Sequence, residues 1–570
     1  MIRMLSRLQT CCQVVSVVLI STAFMTFMTN TVLAQGPAPV DRHLGWWKDA
    51  RFGMFIHWGP ISQKGEEISW SRDPNPSGAN PSGIAAAEYD SLYKTFDPVY
   101  FNAKAIVSLA KAAGMKYIVL VCKHHDGFCE FDSKYTDYKI TSPLSPYGKD
   151  IVRQMADATH AAGLHWCVYY SQPDLHNPDY KVDQAAYDTY FHSQVHELLT
   201  NYEKVDLIWF DGLGGSAEFW DAQNLFKQMR AATPDLIINN RCGFPGDYYT
   251  PEQTIGAYDD QHPWETCMTI GDQWAYKPGD NYKSTAQCIQ TLAKCVGGDG
   301  NLLLNIGPKP DGSIDPTQAD RLRGIAIWMK THGDSIYGTR GGPYLPTASY
   351  AATRKGNIVY VHVLHWQSDS LELPPLSKTI LGSKVLGGGT VKVKQSSDGI
   401  TIVVPESSRD AADTVIELKL DGSAMDISPI AALQAIKAKI TASNVYQNDA
   451  EYAPGMAYDE SESTRWATDG GTKSAWWQAD FDKTQNIIGV SIHEAYAGRV
   501  QNFDLQYKSP DGVEWITILT GTTLGANYEI KFPAIAARSF RLNILDSTDG
   551  PTISEISFYR SNIGSAPGSL

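Results

Sequence analysis

Residues 103–121 read AKAIVSLAKAAGMKYIVLV. As far as Ala113 the apolar residues recur three and four apart, the spacing of one helix face, and Gly114 supplies the residue that closes a helix end. Tyr117-Ile118-Val119-Leu120-Val121 then runs apolar without alternation. A strand of that kind has to be covered on both faces, as in a parallel sheet flanked by helices. The unit recurs on either side. Strand-like runs fall at Phe52–His57, Trp166–Tyr170, Leu207–Phe210, Leu236–Asn240 and Leu302–Ile306. Amphipathic stretches fall at Ile151–Ala162, which Gly163 closes, at Ala185–Tyr202 and at Leu225–Ala232. Repetition sustained from residue 45 to 340 fits a (β/α)8-like barrel better than an open sheet, and its bounds read as 35–342.

Beyond Arg340 the texture changes. Residues 343–428 hold short alternating runs, Asn357–Leu364, Lys378–Leu386 and Thr414–Leu420, parted by Gly and Ser turns: a small antiparallel β-sandwich. Residues 429–440 read as a linker, either a helix or a plain connector. Residues 441–562, rich in Trp, Asp and Gly, form a second all-β unit before a Gly/Ser/Pro tail. The fold class is therefore α/β, a (β/α)8-like barrel followed by two all-β sandwich domains.

The N-terminus reads as a leader. Arg3 and Arg7 precede an apolar run, Val14–Phe27, and Val32-Leu33-Ala34 offers a small-residue cleavage site, so residues 1–34 fit a secretory signal. No later segment is apolar enough to span a bilayer, and the expected location is secreted or periplasmic. The chain has nine Cys, and those after the leader all lie between Cys122 and Cys295 without CxxC spacing. Small buried hydrophobes explain them better than a zinc site or a disulfide framework. Over 570 residues, 43% hydrophobic and 11% aromatic content excludes wholesale disorder. The 48 basic against 62 acidic side chains give a net charge of −14, a poor match for nucleic acid. Most of the 15 Trp and 29 Tyr belong to cores, and the remainder suit stacking on sugars.

In such a barrel, chemistry sits where strands end and βα loops begin. Those positions hold His57, His124, His125, the Tyr169-Tyr170-Ser171 run, Asp211 and Arg241. Asp211 is the sharpest of them. Leu207-Ile208-Trp209-Phe210 delivers its carboxylate to the rim and Gly212 permits close approach of a ligand, although an Asp there also suits a helix cap. Hydrolysis of a glycoside requires a second carboxyl, about 5–5.5 Å away in a retaining enzyme and farther in an inverting one. The candidates are Glu252, after Tyr248-Tyr249-Thr250-Pro251, and Glu265, after Trp264. A metal held by His57, His124, His125 and Asp211 is the weaker reading, because adjacent His residues on a strand point to opposite faces.

Five blocks together resemble the α-L-fucosidases of glycoside hydrolase family 29 over about residues 45–425. They are Trp46-Trp47-x3-Arg51-Phe52-Gly53-Met54-Phe55-Ile56-His57-Trp58-Gly59, Lys123-His124-His125-Asp126-Gly127-Phe128, Phe131-Asp132-Ser133-Lys134-Tyr135-Thr136-Asp137, Trp209-Phe210-Asp211-Gly212 and Gly300-Asn301-Leu302-Leu303-Leu304-Asn305-Ile306-Gly307-Pro308. The resemblance implies a retaining exo-hydrolase of terminal α-L-fucose, acting on fucosylated oligosaccharides or glycoproteins without a metal or organic cofactor. It implies Asp211 as nucleophile, Glu252 as acid/base with Glu265 as the alternative, and His57, His124, His125, Tyr169, Arg241, Trp70 and Trp274 around the sugar. Tyr169 stands ahead of Tyr170 in that set. In place of the family's Glu-Trp pair stands Glu66-Glu67-Ile68-Ser69-Trp70. Two rival functions stay open: a glycan-binding protein that has lost catalysis, and a glycosidase of other sugar specificity.

The last unit resembles the discoidin-like domains, family 32 carbohydrate-binding modules among them, through Ala457-Tyr458-Asp459-Glu460-x3-Thr464-Arg465-Trp466-x9-Trp476-Trp477-Gln478-Ala479-Asp480-Phe481 and Phe503-Asp504-Leu505-Gln506-Tyr507-Lys508-Ser509-x3-Gly512-Val513-Glu514-Trp515. That resemblance implies docking on glycans and, in some members, a structural calcium near Asp459.

Overall fold

A computed structural model describes residues 42–73, 83–212, 214–366, 368–397, 399–430, 438–459, 464–509, 511–525 and 528–560. The expected leader, 1–34, lies outside these residues, and no helix among them is long and apolar enough to cross a membrane.

Seven parallel strands carry the first part of the chain: β1 (Phe52–Ile56), β2 (Tyr117–Lys123), β3 (His165–Ser171), β4 (Leu207–Asp211), β5 (Ile237–Ile238), β6 (Glu265–Thr269) and β7 (Asn301–Ile306). They lie side by side in the order β5-β4-β3-β2-β1-β7-β6, every pair parallel. Between the two edges runs residues 248–252, which make parallel bridges to both sides, Asn239 to Tyr248 and Glu252 to Cys267. The Cys267 N–H donates to the Pro251 carbonyl at 3.1 Å and the Tyr249 N–H to Pro263 at 2.9 Å. The curled sheet is thus joined edge to edge through one irregular segment instead of an eighth regular strand. Pro251 and Pro263 have no N–H to give a ladder, which breaks the regularity there.

Period-two alternation sorts each strand into two cores. Phe55, Val119, Val121, Tyr169, Trp209 and Leu303 fill the interior of the curl. Met54, Ile56, Ile118, Leu120, Val168 and Tyr170 pack outward against helices. The helices begin where short polar side chains take up orphan N–H groups: Asn102 caps Ala103–Ala112, Asp150 caps Ile151–Ala162 and Asp183 caps Gln184–Asn201. Asp211, by contrast, caps none of the described helices; the helix after it is preceded by Asp221.

The middle of the chain stacks a five-stranded antiparallel sheet on a three-stranded one. The first runs Ile380–Val385, Thr414–Leu420, Ile358–Val363, Tyr350–Lys355 and Arg340–Gly341, and the second Ser370–Leu373, Ile400–Val403 and Lys392–Gln395. Val361, Ile416, Leu373 and Ile402 share the core between them. The linker expectation for 429–440 needs correction at its end. Residues 431–437 lie outside the described residues, but Ala438–Ala442 is a strand paired antiparallel to Ala475–Glu494.

The final unit is antiparallel throughout. Its long strands, Ala475–Glu494 and Tyr528–Ser547, lose register after Asp480 and again after Ile487. Residues from before and after those breaks meet in one core: Trp477 stacks with Phe558, whose strand pairs with Val490. That is how a sandwich encloses itself. Asp459, where a calcium was expected, accepts both contacts of the Thr464 hydroxyl, at 2.9 and 2.7 Å. Residues 460–463 lie outside the described residues, and among those described no group of three His, Cys or acidic ligands gathers at Asp459.

Candidate active site

At the C-terminal rim of the curl the strand ends bring together residues far apart in sequence. Ser171 stands in register with Asp211, and Tyr169 with Trp209. Two-residue alternation then aims Tyr169, Ser171 and Asp211 into the interior. The Tyr169 hydroxyl donates to Asp211 Oδ2 at 2.8 Å. Tyr170 points the other way and donates to Gln194 on the helix Gln184–Asn201, so the pleat separates the two tyrosines. The backbone just before Asp211 is clamped by Asn239, whose amide accepts from the Phe210 N–H at 2.9 Å and donates to its carbonyl at 2.8 Å.

Arg241, three residues past β5, is the electrostatic centre. Its Nη1 lies 3.0 Å from Asp211 Oδ1 and 2.8 Å from Glu252 Oε2. Its Nε donates to Thr250 Oγ1 at 2.8 Å and its Nη2 to the Thr250 carbonyl at 3.0 Å, while the guanidinium covers the Trp209 ring. Two contacts to one nitrogen keep the facing carboxylate oxygens within about 6 Å of each other. Burial raises the Asp211 carboxyl above the ordinary Asp range, and Arg241 and Tyr169 act to lower it.

The three histidines surround this pair. β2 loses register with β3 after Val121, and the chain then turns at Gly127, whose φ is +85°. A Cβ there would meet the Asp174 carboxylate. The turn defeats the expectation that His124 and His125 face apart, and their rings lie 4.2 Å from each other. Burial depresses all three imidazoles, His57 and His125 to about 3, so each is neutral at ordinary pH. For two of them the neighbours fix the tautomer. Asn305 donates its amide to the Trp274 carbonyl, so its oxygen accepts from His57 Nδ1 at 2.7 Å. Ser171 donates to the Pro173 carbonyl, so its oxygen accepts from His125 Nδ1 at 2.6 Å. Both rings therefore carry Nε2 as a bare acceptor, and that of His125 lies 3.6 Å from Asp211. His124 Nδ1 meets Ser69 Oγ at 2.6 Å.

Aromatic walls complete the site. Trp274 packs on His57 and Phe55. Its loop is held by Glu67, which accepts from the Trp274 and Ala275 N–H groups at 2.8 and 3.1 Å. Of the two glutamates before Trp70, only Glu67 takes part, and it acts through the Trp274 backbone. Trp70 stands half-exposed over His125. Glu265 is not at this rim. It opens β6, in register with the first residue of β7, and its Oε2 accepts from Trp47 Nε1 and from the Tyr117 hydroxyl, at the opposite end of the curl.

His124, His125 and Asp211 offer ligand atoms within 4.8 Å of one another. The fit to a metal is poor, because the Arg241 cation already rests on Asp211, and His57 is turned to Asn305. Of the supporting residues, Ser171 stands in a strand-end run singled out from the sequence, whereas the orienting roles of Ser69, Asn239, Thr250 and Asn305 leave no local pattern.

Known proteins resemble this chain. The family model described as alpha-L-fucosidase matches residues 36–334, and that of the F5/8 type C domain matches residues 439–557. Human plasma alpha-L-fucosidase is 28% identical over 404 residues, covering 63% of this chain and 85% of its own. Among solved structures, alpha-L-fucosidase isoenzyme 1 from Paenibacillus thiaminolyticus is 34% identical with a TM-score of 0.61, over 67% of this chain and 99% of that one. A GH29 alpha-L-fucosidase from Bacteroides thetaiotaomicron, trapped as a covalent intermediate with 2-fluoro-fucosyl fluoride in a Glu-to-Gln variant, is 26% identical with a TM-score of 0.60, over 67% and 96%. With the rim geometry and these matches in hand, this glycoside hydrolase chain belongs to the α-L-fucosidase family.

Proposed function

We propose that the protein is a retaining exo-α-L-fucosidase working through a covalent fucosyl–Asp211 ester. The observation that supports this most is the single Arg241 nitrogen shared by Asp211 and Glu252. A nucleophile must be ionised, and the guanidinium with the Tyr169 hydroxyl favours that form against the cost of burial. In the first step Asp211 Oδ attacks the anomeric carbon while the bond to the leaving oxygen breaks and Glu252 gives that oxygen its proton. In the second, Glu252 takes a proton from water, the water oxygen bonds to the anomeric carbon, and the ester opens to restore Asp211. The side chain of Glu252 is 42% exposed, which suits a group that must meet both the leaving group and incoming water.

The bare Nε2 atoms of His57 and His125 suit the hydroxyls of a sugar, which would donate to them, and His124 lines the same wall. Trp274 offers an apolar face for the fucose methyl group, and Trp70 forms the outer lip. Positive charge comes from Arg241, and no step calls on a metal. The natural substrates in this reading are fucosylated glycans met after export. A direct test is to inactivate the enzyme with 2-fluoro-fucosyl fluoride and map the adduct by peptide mass spectrometry. The reading expects the label on Asp211. A label on another carboxylate, or none on an active enzyme, would overturn it.

A further inference from the structure

The final unit carries a second feature, on the outer face of its sheet. Along Ala475–Glu494 the side chains alternate: Ala475, Trp477, Ala479 and Phe481 are buried, while Trp476, Gln478 and Asp480 face outward. Gln478 is in register with Arg541, and Arg541 in turn with Gln506. The next strand places Trp515 opposite Lys508. The result is a cation between two indoles: the Arg541 guanidinium lies 4.7 Å from the Trp476 ring and 5.2 Å from the Trp515 ring. Lys508 Nζ lies 5.6 Å from the centre of the Trp515 ring.

What marks the spot is the absence of an anion. Among the described residues Arg541 has no hydrogen-bonded or ion-paired partner, and its Nε is shut off from solvent without an acceptor. Burial lowers its pKa with no carboxylate to offset the cost. The acidic neighbours are engaged elsewhere. Asp480 accepts from Gln478 at 2.8 Å and Ser539 at 2.6 Å, and Asp504 accepts from the Thr520 hydroxyl at 2.6 Å. A guanidinium is a planar fork matched to carboxylate and sulfate oxygens, and leaving such donors unmet is unfavourable. The flanking indoles present the flat apolar faces on which sugar rings stack. Gln478 and Gln506 supply amides on either side for hydroxyls.

We propose that Trp476, Arg541 and Trp515 form a binding platform on this sheet face for an anionic glycan, a sugar chain bearing sulfate ester or carboxylate groups. The oxyanion would take the free donors of Arg541, with Lys508 adding charge, and neighbouring sugar rings would lie on the two indoles. The platform is independent of the catalytic reading, because none of these residues belongs to the barrel rim.

The test is affinity electrophoresis of the full chain in gels containing a sulfated fucan, the same polymer after desulfation, or polygalacturonate. Turnover of an aryl α-L-fucoside and thermal melting are measured alongside. Retardation by the sulfated or the uronate polymer is expected, weakening as salt is raised, and the polymer that works identifies the anion. Arg541→Met and, separately, Trp515→Ala should each weaken it roughly ten-fold or more at unchanged melting temperature and unchanged aryl fucoside turnover. Failure of both anionic polymers to retard the protein would overturn the proposal. So would equal retardation by the desulfated polymer, or undiminished binding in a folded Arg541→Met.

Discussion

Replacing Glu265 by Gln should leave turnover intact while stabilising the barrel above neutral pH. Burial lifts this carboxyl from 4.5 to about 7, against the opposing pull of the hydrogen bonds from Tyr117 and Trp47. A carboxyl titrating there has the pKa wanted of an acid/base, yet it sits at the wrong end of the curl to meet a glycosidic oxygen. The energetic consequence follows from linkage. Below pH 4.5 both folded and unfolded chains hold the proton and the site contributes no difference. Between 4.5 and about 7 the folded chain keeps a proton that the unfolded chain releases, so stability falls as pH rises. Above that the full loss is present. The interval, at 1.36 kcal/mol per unit, amounts to about 3 kcal/mol. Gln is neutral throughout and lacks this term. The melting temperature of Glu265→Gln relative to the parent should therefore climb by on the order of 5 °C between pH 4.5 and pH 8, measured by scanning calorimetry of the barrel transition. A gap that does not change with pH would refute the desolvation argument. A collapse in turnover would refute the placement of Glu265 outside the chemistry.

Arg241→Met should lower kcat/KM by roughly 10–100-fold and shift the acid limb of the pH–rate profile upward, since the proposed nucleophile Asp211 has to be ionised and the guanidinium is the first of the groups opposing the effect of burial; a pH–rate series checks both. Glu67→Ala leaves the Trp274 and Ala275 N–H groups without their acceptor, so KM should rise and stability fall by about 2 kcal/mol, read from kinetics and chemical denaturation. Asn305→Leu removes the acceptor that fixes His57, and a KM increase of roughly ten-fold with a smaller change in kcat is expected.

The fold was legible where a residue's own neighbours in sequence dictate its state. The apolar run of β2 and the helix before it follow from spacing, and Leu207–Phe210 points to Asp211 because a polar residue ending a buried strand has to emerge at the rim. The segment 248–252 was not legible as part of the sheet, since its Pro251 and its bridge-only pairing erase the strand pattern. β6 was also missed, because Glu265-Thr266-Cys267-Met268-Thr269 is too polar to read as a strand buried at every position. Residues 429–440 read as a linker, whereas the open edge of Ala475–Glu494 takes Ala438–Ala442 as a strand. At the site, His57, His124, His125 and Asp211 stand at strand ends and could be read, whereas Glu252, Trp70 and Trp274 lie on irregular segments between strands. The groups that orient the histidines could not be read: Ser69 serves His124 from 55 residues away and Asn305 serves His57 from 248. Such pairings are created by the closing of the sheet and leave no local period.

In the proposed mechanism Asp211 and Glu252 form the working pair. Turnover of an aryl α-L-fucoside by the parent, Asp211→Ala, Glu252→Ala and Glu265→Ala, each with and without azide, tests it most directly. Loss of Asp211 should remove activity by several orders of magnitude. Azide should restore turnover in Glu252→Ala, with a fucosyl azide as product, and should do nothing for Glu265→Ala, which keeps its activity. Rescue confined to Glu265→Ala, or an Asp211→Ala enzyme as active as its parent, would rule this pair out.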